Sequence, residues 1–151
     1  MSLLKKFERY ADDFEKAFEA DDWSIIDPHF EPDAIYEIVG EAPLGGVHEG
    51  KEAVLAHLKR SVESFDRRFD SRSLEILEGP AERDAGIWMR WRATYGLAGA
   101  PDLILDGEES VWFEGDRIIR LEDRYPDGVG ATLLGFMGEH GGKLHPENPS
   151  D

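Results

Sequence analysis

The sequence predicts an α+β domain in which a cone-shaped, curved antiparallel sheet wraps around N-terminal helices and encloses a pocket. Helical patterns dominate the first half of the chain, and long strand-like segments follow in the second half. Helices gathered first and strands gathered later are typical of the α+β class. With 151 residues, the chain is long enough for one domain with a substantial core. We therefore expect a single domain over residues 1–137 and a flexible tail over residues 138–151.

The first half of the chain contains two helical patterns separated by a strand. Residues 3–20 and residues 51–69 repeat apolar side chains at helical spacing, which predicts two amphipathic helices. A short helical segment after the first helix is interrupted by Pro28 and Pro32. Partial alternation over residues 34–39 then predicts a strand, and a loop rich in glycine and proline leads to the second helix.

The second half of the chain contains the long strands. Residues 71–78 and 86–95 alternate in a way that predicts two strands, and residues 106–125 predict a hairpin. Along residues 86–95, one face is apolar and should meet the core. A further short helix is expected after Pro126, over the core. The apolar face of the long strand consists of Ile87, Met89, Trp91, Ala93 and Tyr95.

The hairpin is the most informative segment, because its apolar residues fix its register. Closing the turn over Gly115, Asp116 and Arg117 pairs Phe113 with Ile119 and Val111 with Leu121. Successive side chains of a strand alternate between the two faces, so these four residues are expected to share the face that meets the core.

The same register places Glu109 opposite Asp123 on the apolar face. Two neighbouring carboxylates in apolar surroundings are costly unless they are paired or used. One of them would keep a proton near neutral pH, so the pair would combine an acid with a base. We interpret Asp123 and Glu109 as the candidate catalytic pair. The alternative is that one or both lie at the pocket rim, solvated or hydrogen-bonded to a tyrosine.

Charge and composition exclude several classes of protein. The 33 acidic and 17 basic residues give a net charge of −16, which disfavours nucleic acids and anionic membranes as partners. The absence of cysteine excludes disulfides, thiolate catalysis and cysteine-based zinc sites. No apolar run approaches 18 residues, and the N-terminus lacks the pattern of a signal peptide. We therefore expect a cytoplasmic protein that binds no nucleic acid and no membrane.

Neither a metal nor a cofactor is predicted. The five histidines show no metal-ligand spacing, and the glycine-rich loop before the second helix does not have the form of a phosphate-binding motif.

Four local motifs, in this order, carry a resemblance to a known superfamily. They are ADDW, HFEPDAIYE, EGKEAV and FEGDRIIRLEDRY. Their order and spacing resemble the nuclear transport factor 2-like superfamily over about residues 3–126. This superfamily includes ketosteroid isomerase, limonene epoxide hydrolase, scytalone dehydratase and the SnoaL-like polyketide cyclases. The resemblance implies the cone fold, which hosts many functions and does not select one.

The resemblance also bears on the candidate acids. Ketosteroid isomerase has a tyrosine and an aspartate at the positions that resemble Phe14 and Ile38, and a second acid where Glu109 lies, so two of its three groups are missing here. Limonene epoxide hydrolase is similar around Asp123, but it needs an Arg-x-Asp pair where this chain has Arg90-Trp91-Arg92. SnoaL-like cyclases place an acidic residue, which serves as a base, where Asp123 stands.

The resemblance and the strand parity together predict a mostly apolar pocket for a small hydrophobic molecule. Tyrosine hydroxyls could polarise a substrate carbonyl there, or could simply bond a neighbouring group. His48 lies in the loop before the second helix, where it could shuttle protons or be a plain loop residue. The expected ligand-binding residues are Phe14, Tyr36, Ile38, His48, Met89, Trp91, Val111, Leu121 and Tyr125.

The opposite face of the sheet is a candidate dimer interface. Trp88 and Trp112 fall on this face by parity, together with Arg90 and Arg92. Exposed tryptophans on one sheet face are typical of a contact surface, and members of the resembling superfamily often pack sheet against sheet. We expect a homodimer through this face. The alternative is that the C-terminal segment of the chain covers it.

Three hypotheses for the function follow. The first is a cofactor-independent isomerase, cyclase or dehydratase that acts by acid–base chemistry on a small hydrophobic carbonyl or polyketide-like substrate. The second is a non-catalytic module that binds a ligand or associates through the same pocket. The third is a structural dimer with a vestigial pocket.

Overall fold

Three α-helices and six β-strands form the framework of residues 1–147, the part of the chain that the computed structural model describes. The α+β class that the sequence predicts is confirmed. The helices are α1 (Leu3–Ala20), α2 (Lys51–Ser64) and α3 (Val129–His140). The strands are β1 (Phe30–Val39), β2 (Gly46–Glu49), β3 (Ser71–Arg83), β4 (Gly86–Gly96), β5 (Leu103–Glu114) and β6 (Arg117–Arg124).

The strands form one curved, open sheet in the order β2-β1-β6-β5-β4-β3. Neighbouring strands are antiparallel except β1 and β6, which run parallel. The sequence predicts an antiparallel sheet, and this pair differs because the chain passes through α2 and four strands (β2, β3, β4 and β5) before it returns beside β1. A parallel pair requires a long crossover of this kind. The pairing brings the N-terminal strand next to the hairpin.

The first helix has the predicted bounds because both of its ends are defined locally. The Ser2 hydroxyl accepts a hydrogen bond from the Lys5 N–H at 3.2 Å, which caps the N-terminus. Asp21 adopts the left-handed conformation with φ of 53° and ends the helix. The buried side of α1 carries Phe7 and Tyr10, which pack against the sheet. The helix therefore covers one side of the cavity described below.

The second helix is shorter than predicted. The expected helix extended to residue 69, but α2 ends at Ser64, and a single 3₁₀ turn follows at Asp66–Arg68. Phe65 leaves helical geometry with φ of −130°, and its ring packs against Phe69 at a centroid distance of 5.0 Å. Both phenylalanines pack in an apolar cluster separate from the main core. Their spacing in the sequence is helical, although the helix has already ended.

The predicted register of the hairpin is confirmed at the acid pair and is wrong near the turn. Val111 pairs with Leu121, but Phe113 pairs with Ile118 and not with Ile119. The turn closes over two residues, and Gly115 in it has φ of 61°. A bulge beside the turn absorbs the extra residue, so Ile118 is fully buried whereas Ile119 is only half-buried.

The C-terminal segment is structured further than the expected boundary at residue 137. Residues 138–140 belong to α3, a 3₁₀ turn follows at Gly141–Lys143, and the Leu144 side chain is buried. The N–H of the next residue donates a hydrogen bond to the Arg68 carbonyl at 2.9 Å. Residues 148–151 of the expected flexible tail lie outside the described residues.

None of the helices in residues 1–147 is long and apolar enough to cross a membrane.

Candidate functional site

A cavity of about 470 Å³ lies between α1, α2 and the inner face of the sheet, which is the face that carries Met89 and Trp91 on β4. Its wall is mostly apolar and aromatic, with a few polar groups. Such a composition is typical of small-molecule sites. Seven of the nine expected ligand-binding residues line it: Phe14, Tyr36, Ile38, Met89, Trp91, Leu121 and Tyr125.

Two of the expected ligand-binding residues lie elsewhere. Val111 is fully buried behind the wall, in the core that supports it. His48 lies on β2, the short strand that the sequence suggests is a loop, and its ring stacks on that of His57 at a centroid distance of 3.9 Å. Of the two, His57 lines the cavity. Burial and the nearby His48 lower the pKa of His57 to about 4, so it is neutral at physiological pH.

Glu109 and Asp123 both reach the cavity wall. They occupy directly opposed positions on β5 and β6, where Cβ atoms lie about 5 Å apart. The Tyr36 hydroxyl donates a hydrogen bond to Oδ2 of Asp123. The other carboxylate oxygen, Oδ1, is shielded from solvent and has no amide, hydroxyl or basic donor within residues 1–147. The carboxyl group of Glu109 lies within hydrogen-bonding reach of Asp123, so the site holds one carboxylate oriented by a tyrosine beside a second acid.

The parallel pairing of β1 with β6 explains this geometry. Ile38 pairs with Asp123 and Tyr36 with Leu121, so the tyrosine lies two positions away from the acid on the same face. Its side chain spans this offset and reaches the carboxylate. Sequence parity alone predicts the face of each residue, whereas the contact depends on which strands become neighbours.

The surroundings of the two acids favour their neutral forms. Removal from bulk water, together with the charge of Asp123, raises the pKa of Glu109 well above its usual range. Desolvation raises the pKa of Asp123 to about 6, and the hydrogen bonds from Tyr36 and Glu109 oppose this rise. The two acids therefore share a proton near neutral pH, and the hydrogen bond from Tyr36 favours the carboxylate form at Asp123.

Tyrosine hydroxyls surround the acid pair. Tyr10 on α1 and Tyr125 after β6 line the same cavity as Tyr36. Burial, with the nearby acids, raises the pKa of each well above its usual range. All three therefore keep their protons and can act as hydrogen-bond donors. Tyr10 is thus a candidate hydrogen-bond donor to a ligand, like Tyr36 and Tyr125. Its position on the apolar stripe of α1 is already visible in the sequence.

Gly107 on β5 makes room for the largest side chain of the wall. It pairs with Trp91, and a Cβ at this position would lie 2.4 Å from the indole ring. The indole lies across the glycine and meets the Tyr125 ring edge-on at a centroid distance of 5.7 Å. This aromatic corner forms part of the cavity wall.

The expected interface residues lie on the outer face of the sheet, opposite the cavity. The Trp88 indole N–H donates to Oε1 of Glu108 at 3.0 Å, and the Arg83 guanidinium packs over the same indole. The Trp112 indole donates to the Asp84 carbonyl at 3.0 Å. Both tryptophans are half-buried and already have partners within the chain.

The expected interface arginines on this face form ion pairs with neighbouring strands. Arg90 lies 2.7 Å from Glu78, and Arg92 binds Asp106 through Nε at 2.7 Å and Nη2 at 3.0 Å. The outer face is therefore held together by polar contacts of its own.

No group of three histidine or acidic side chains within residues 1–147 converges in a way that could hold a metal ion.

Comparison with known proteins gives the family of this chain. The profile of the SnoaL-like domain matches residues 8–124, and the chain belongs to this family. An uncharacterized cystatin fold protein from Novosphingobium aromaticivorans is 25% identical, with a TM-score of 0.54 over 82% of this chain and 97% of that chain. No curated protein matches the chain.

Two further solved structures show the same fold at lower identity. An NTF2-like protein of unknown function from Burkholderia pseudomallei is 18% identical, with a TM-score of 0.60 over 90% of this chain and 96% of that chain. TerC, co-crystallized with polyporic acid, is 16% identical, with a TM-score of 0.58 over 90% of this chain and 95% of that chain. The chain is thus a member of the nuclear transport factor 2-like superfamily.

Proposed function

We propose that this SnoaL-like chain is a cofactor-independent enzyme that moves a proton on a small hydrophobic carbonyl compound, as an isomerase, cyclase or dehydratase does. The observation that supports it most is the opposed pair of Glu109 and Asp123 on the wall of an apolar cavity. Their environments separate their pKa values in the way that general acid–base catalysis requires.

Asp123 is the base in this proposal. Tyr36 occupies Oδ2 and orients the carboxylate, which leaves Oδ1 to accept a proton from a carbon next to the substrate carbonyl. The electron pair of the broken C–H bond moves to the carbonyl oxygen and forms an enolate. Partial desolvation strengthens the carboxylate as a base, because a pKa of about 6 lies closer to that of a carbon acid than the usual value does.

Glu109 is the acid in this proposal. Its carboxyl group keeps its proton near neutral pH and can donate a hydrogen bond to the oxygen on which negative charge develops. The proton held by Asp123 then returns to another carbon in an isomerisation. In a dehydration, Glu109 instead delivers its proton to the departing hydroxyl. The mainly apolar wall keeps water away from both steps.

Exchange of carbon-bound hydrogen for solvent deuterium tests the proposal without knowledge of the natural substrate. A panel of apolar ketones and β-diketones is incubated with the protein in D₂O and followed by NMR. We expect wild-type protein to accelerate exchange for at least one compound. Asp123→Asn should lower that rate by about 10²–10⁴-fold, the usual contribution of a general base.

Asp106→Asn is the matched control, because it makes the same chemical change on the outer face of β5. It should leave the exchange rate within about twofold of wild type, because its side chain is remote from the cavity wall. Equal exchange by wild type and Asp123→Asn would contradict the proposal. Binding of the ketones without any exchange would favour a ligand-binding module instead.

A further inference from the structure

A second polar cluster lies on the wall of the same cavity and has no part in the proposed proton transfer. It consists of Asp66 on the 3₁₀ turn after α2, Arg72 on β3 and Tyr95 on β4. The Tyr95 hydroxyl donates to Oδ1 of Asp66 at 3.1 Å, and Arg72 Nε lies 3.3 Å from Oδ2. Both oxygens of this carboxylate are thus occupied, in contrast to those of Asp123.

The two polar clusters lie at different positions along β4, and Tyr125 lies close enough to both that the charges of Asp123 and Asp66 act on it. On β4, Met89 pairs with Glu109, whereas Tyr95 pairs with Arg72. These two β4 positions are six residues apart in sequence, which corresponds to about 20 Å of strand before curvature and side-chain reach are counted. Between them, Trp91 and Ala93 continue the apolar wall.

Arg72 is the group in this second cluster that can bind a ligand. Only 16% of its side chain is exposed, and its guanidinium packs against the Phe18 ring at 4.7 Å from the centroid. Its Nε faces Asp66, its Nη1 lies 3.6 Å from the Glu15 carboxylate, and the guanidinium also lies within hydrogen-bonding reach of the Tyr95 hydroxyl. A guanidinium has five N–H donors in a planar fork, so donors remain for an oxygen atom inside the cavity.

The charges around Arg72 allow an oxygen acceptor to bind there. Arg67, on the same 3₁₀ turn as Asp66, adds positive charge beside this carboxylate. The two nearby acids, Glu15 and Asp66, offset the charges of Arg72 and Arg67. Burial raises the pKa of Asp66 to about 6, so this acid can take up a proton when an anionic group approaches.

We propose that Arg72 forms a second subsite, which binds an oxygen acceptor at the far end of an elongated, mainly apolar substrate. The acceptor would be a carboxylate or a carbonyl oxygen, both of which match the planar fork of a guanidinium. The identity of the reacting end rests on the proposed function, whereas the subsite itself does not. The substrate class then narrows to apolar molecules that carry oxygen groups at both ends.

Two fluorescent probes test the subsite. The first, 1-anilinonaphthalene-8-sulfonate, carries a sulfonate acceptor. The second, N-phenyl-1-naphthylamine, has the same aromatic frame without it. Fluorescence titration gives the Kd of each, and displacement of one by the other shows that they share the cavity. We expect Arg72→Met to weaken binding of the sulfonate probe by about tenfold, the usual loss of a charge-assisted hydrogen bond. Binding of the neutral probe should change by less than about twofold.

Three further variants serve as controls. Arg90→Met also removes an arginine, but from the outer face, and should change neither affinity. Arg72→Gln keeps hydrogen-bond donors near Asp66 and replaces Arg72→Met if that variant does not fold. It should still weaken binding of the sulfonate probe more than binding of the neutral probe. Asp123→Asn should keep the selectivity of wild type for the sulfonate, even where it abolishes proton exchange. The subsite and the proposed function can therefore fail independently.

Equal losses for both probes would mean that Arg72 only shapes the cavity, and would overturn the proposal. Unchanged affinity of the sulfonate probe in Arg72→Met and Arg72→Gln would overturn it as well. So would the failure of the sulfonate probe to bind wild type at all. A carboxylate and a methyl ketone on the same naphthalene frame then distinguish the two acceptors: greater loss for the carboxylate identifies an anionic substrate end.

Discussion

The two faces of one sheet hold carboxylates in opposite chemical states. On the outer face of β5, Asp106 binds Arg92 through two short contacts, and this partner lowers the pKa of the acid. Three residues along the same strand, Glu109 points into the cavity, where desolvation raises its pKa. The sequence offers the same kind of side chain at both places, so the direction of the side chain decides its chemistry.

The contrast extends to the neighbouring strands. Glu37 of β1 is paired with Arg120 on the outer face, and Glu78 of β3 with Arg90. On the inner face, Asp123 accepts from Tyr36 and has no basic partner among its contacts in residues 1–147. The outer face is therefore an array of satisfied ion pairs, whereas the inner face keeps two acids poised to exchange protons.

The largest effect is expected on dimer formation. A second copy of the chain covering the outer face would make that face buried, like the inner one. We propose that this face forms the contact of a homodimer, with Trp88 and Trp112 as its apolar anchors. Replacing both with glutamate would bury charges at the contact, which typically costs about 3–5 kcal/mol, or about a 10²- to 10⁴-fold loss of affinity. Light scattering should then report a folded monomer where wild type is a dimer.

The control for this test places glutamate at Thr94, which lies on the same face of β4 away from the two tryptophans. This variant should remain dimeric. A wild-type chain that is monomeric at micromolar concentration would show that the interface prediction is wrong. The two tryptophans would then make contacts only within their own chain, and the outer face would be exposed to solvent.

The second prediction concerns stability and pH. The pKa of Asp123 is raised from 3.8 to about 6 in the folded protein. The neutral form therefore favours folding below pH 4, and this contribution is lost as the pH rises through 6. Asparagine stays neutral throughout, so Asp123→Asn should be more stable than wild type at pH 8, by about 3 kcal/mol.

Urea unfolding at pH 4 and pH 8 checks this second prediction. The difference in unfolding free energy between Asp123→Asn and wild type should be small at pH 4 and should grow toward pH 8. A variant that is less stable than wild type at pH 8 would mean that Asp123 gains more from partners than it loses by leaving water.

The third prediction concerns the coupling of the two inner acids. The charge of Asp123 raises the pKa of Glu109, in addition to the larger effect of desolvation. Asp123→Asn should therefore lower the pKa of Glu109 without returning it to the usual range. Carboxyl-carbon NMR against pH measures this directly. Independent titration of both acids near pH 4 in wild type would mean that water reaches both.

Features of the site that depend only on residues close together in the sequence can be predicted from it. The alternation of apolar residues fixes the register that sets Glu109 opposite Asp123, and the structure confirms it. The bounds of α1 also follow from its stripe and its local caps. The bulge beside the hairpin turn is not predictable in this way, because it depends on a turn that is one residue tighter than the pattern suggests.

Contacts between distant segments are the part that the sequence leaves open. The bond from Tyr36 to Asp123 needs β1 and β6 to be parallel neighbours, which no local pattern indicates. The Arg72 subsite likewise depends on the end of α2 at Ser64, which turns Asp66 toward β3. Aromatic residues keep the helical spacing beyond that point, so the pattern conceals the break.

The smallest effect is expected from Asp106→Asn on the outer face, and its sign should be opposite to that of Asp123→Asn. Arg92 lowers the pKa of Asp106, so this acid stabilises the fold above about pH 4, and the contribution is lost as the pH falls. A third of the Asp106 side chain is exposed, at 33%, so water and salt screen the pair. The variant should lose only about 0.5–1 kcal/mol at pH 7, and less in 1 M NaCl. Urea unfolding of wild type and the variant, without added salt and in 1 M NaCl, measures this difference in unfolding free energy. A loss that salt does not reduce would show that the pair is shielded from solvent, and the outer face would then resemble the inner one.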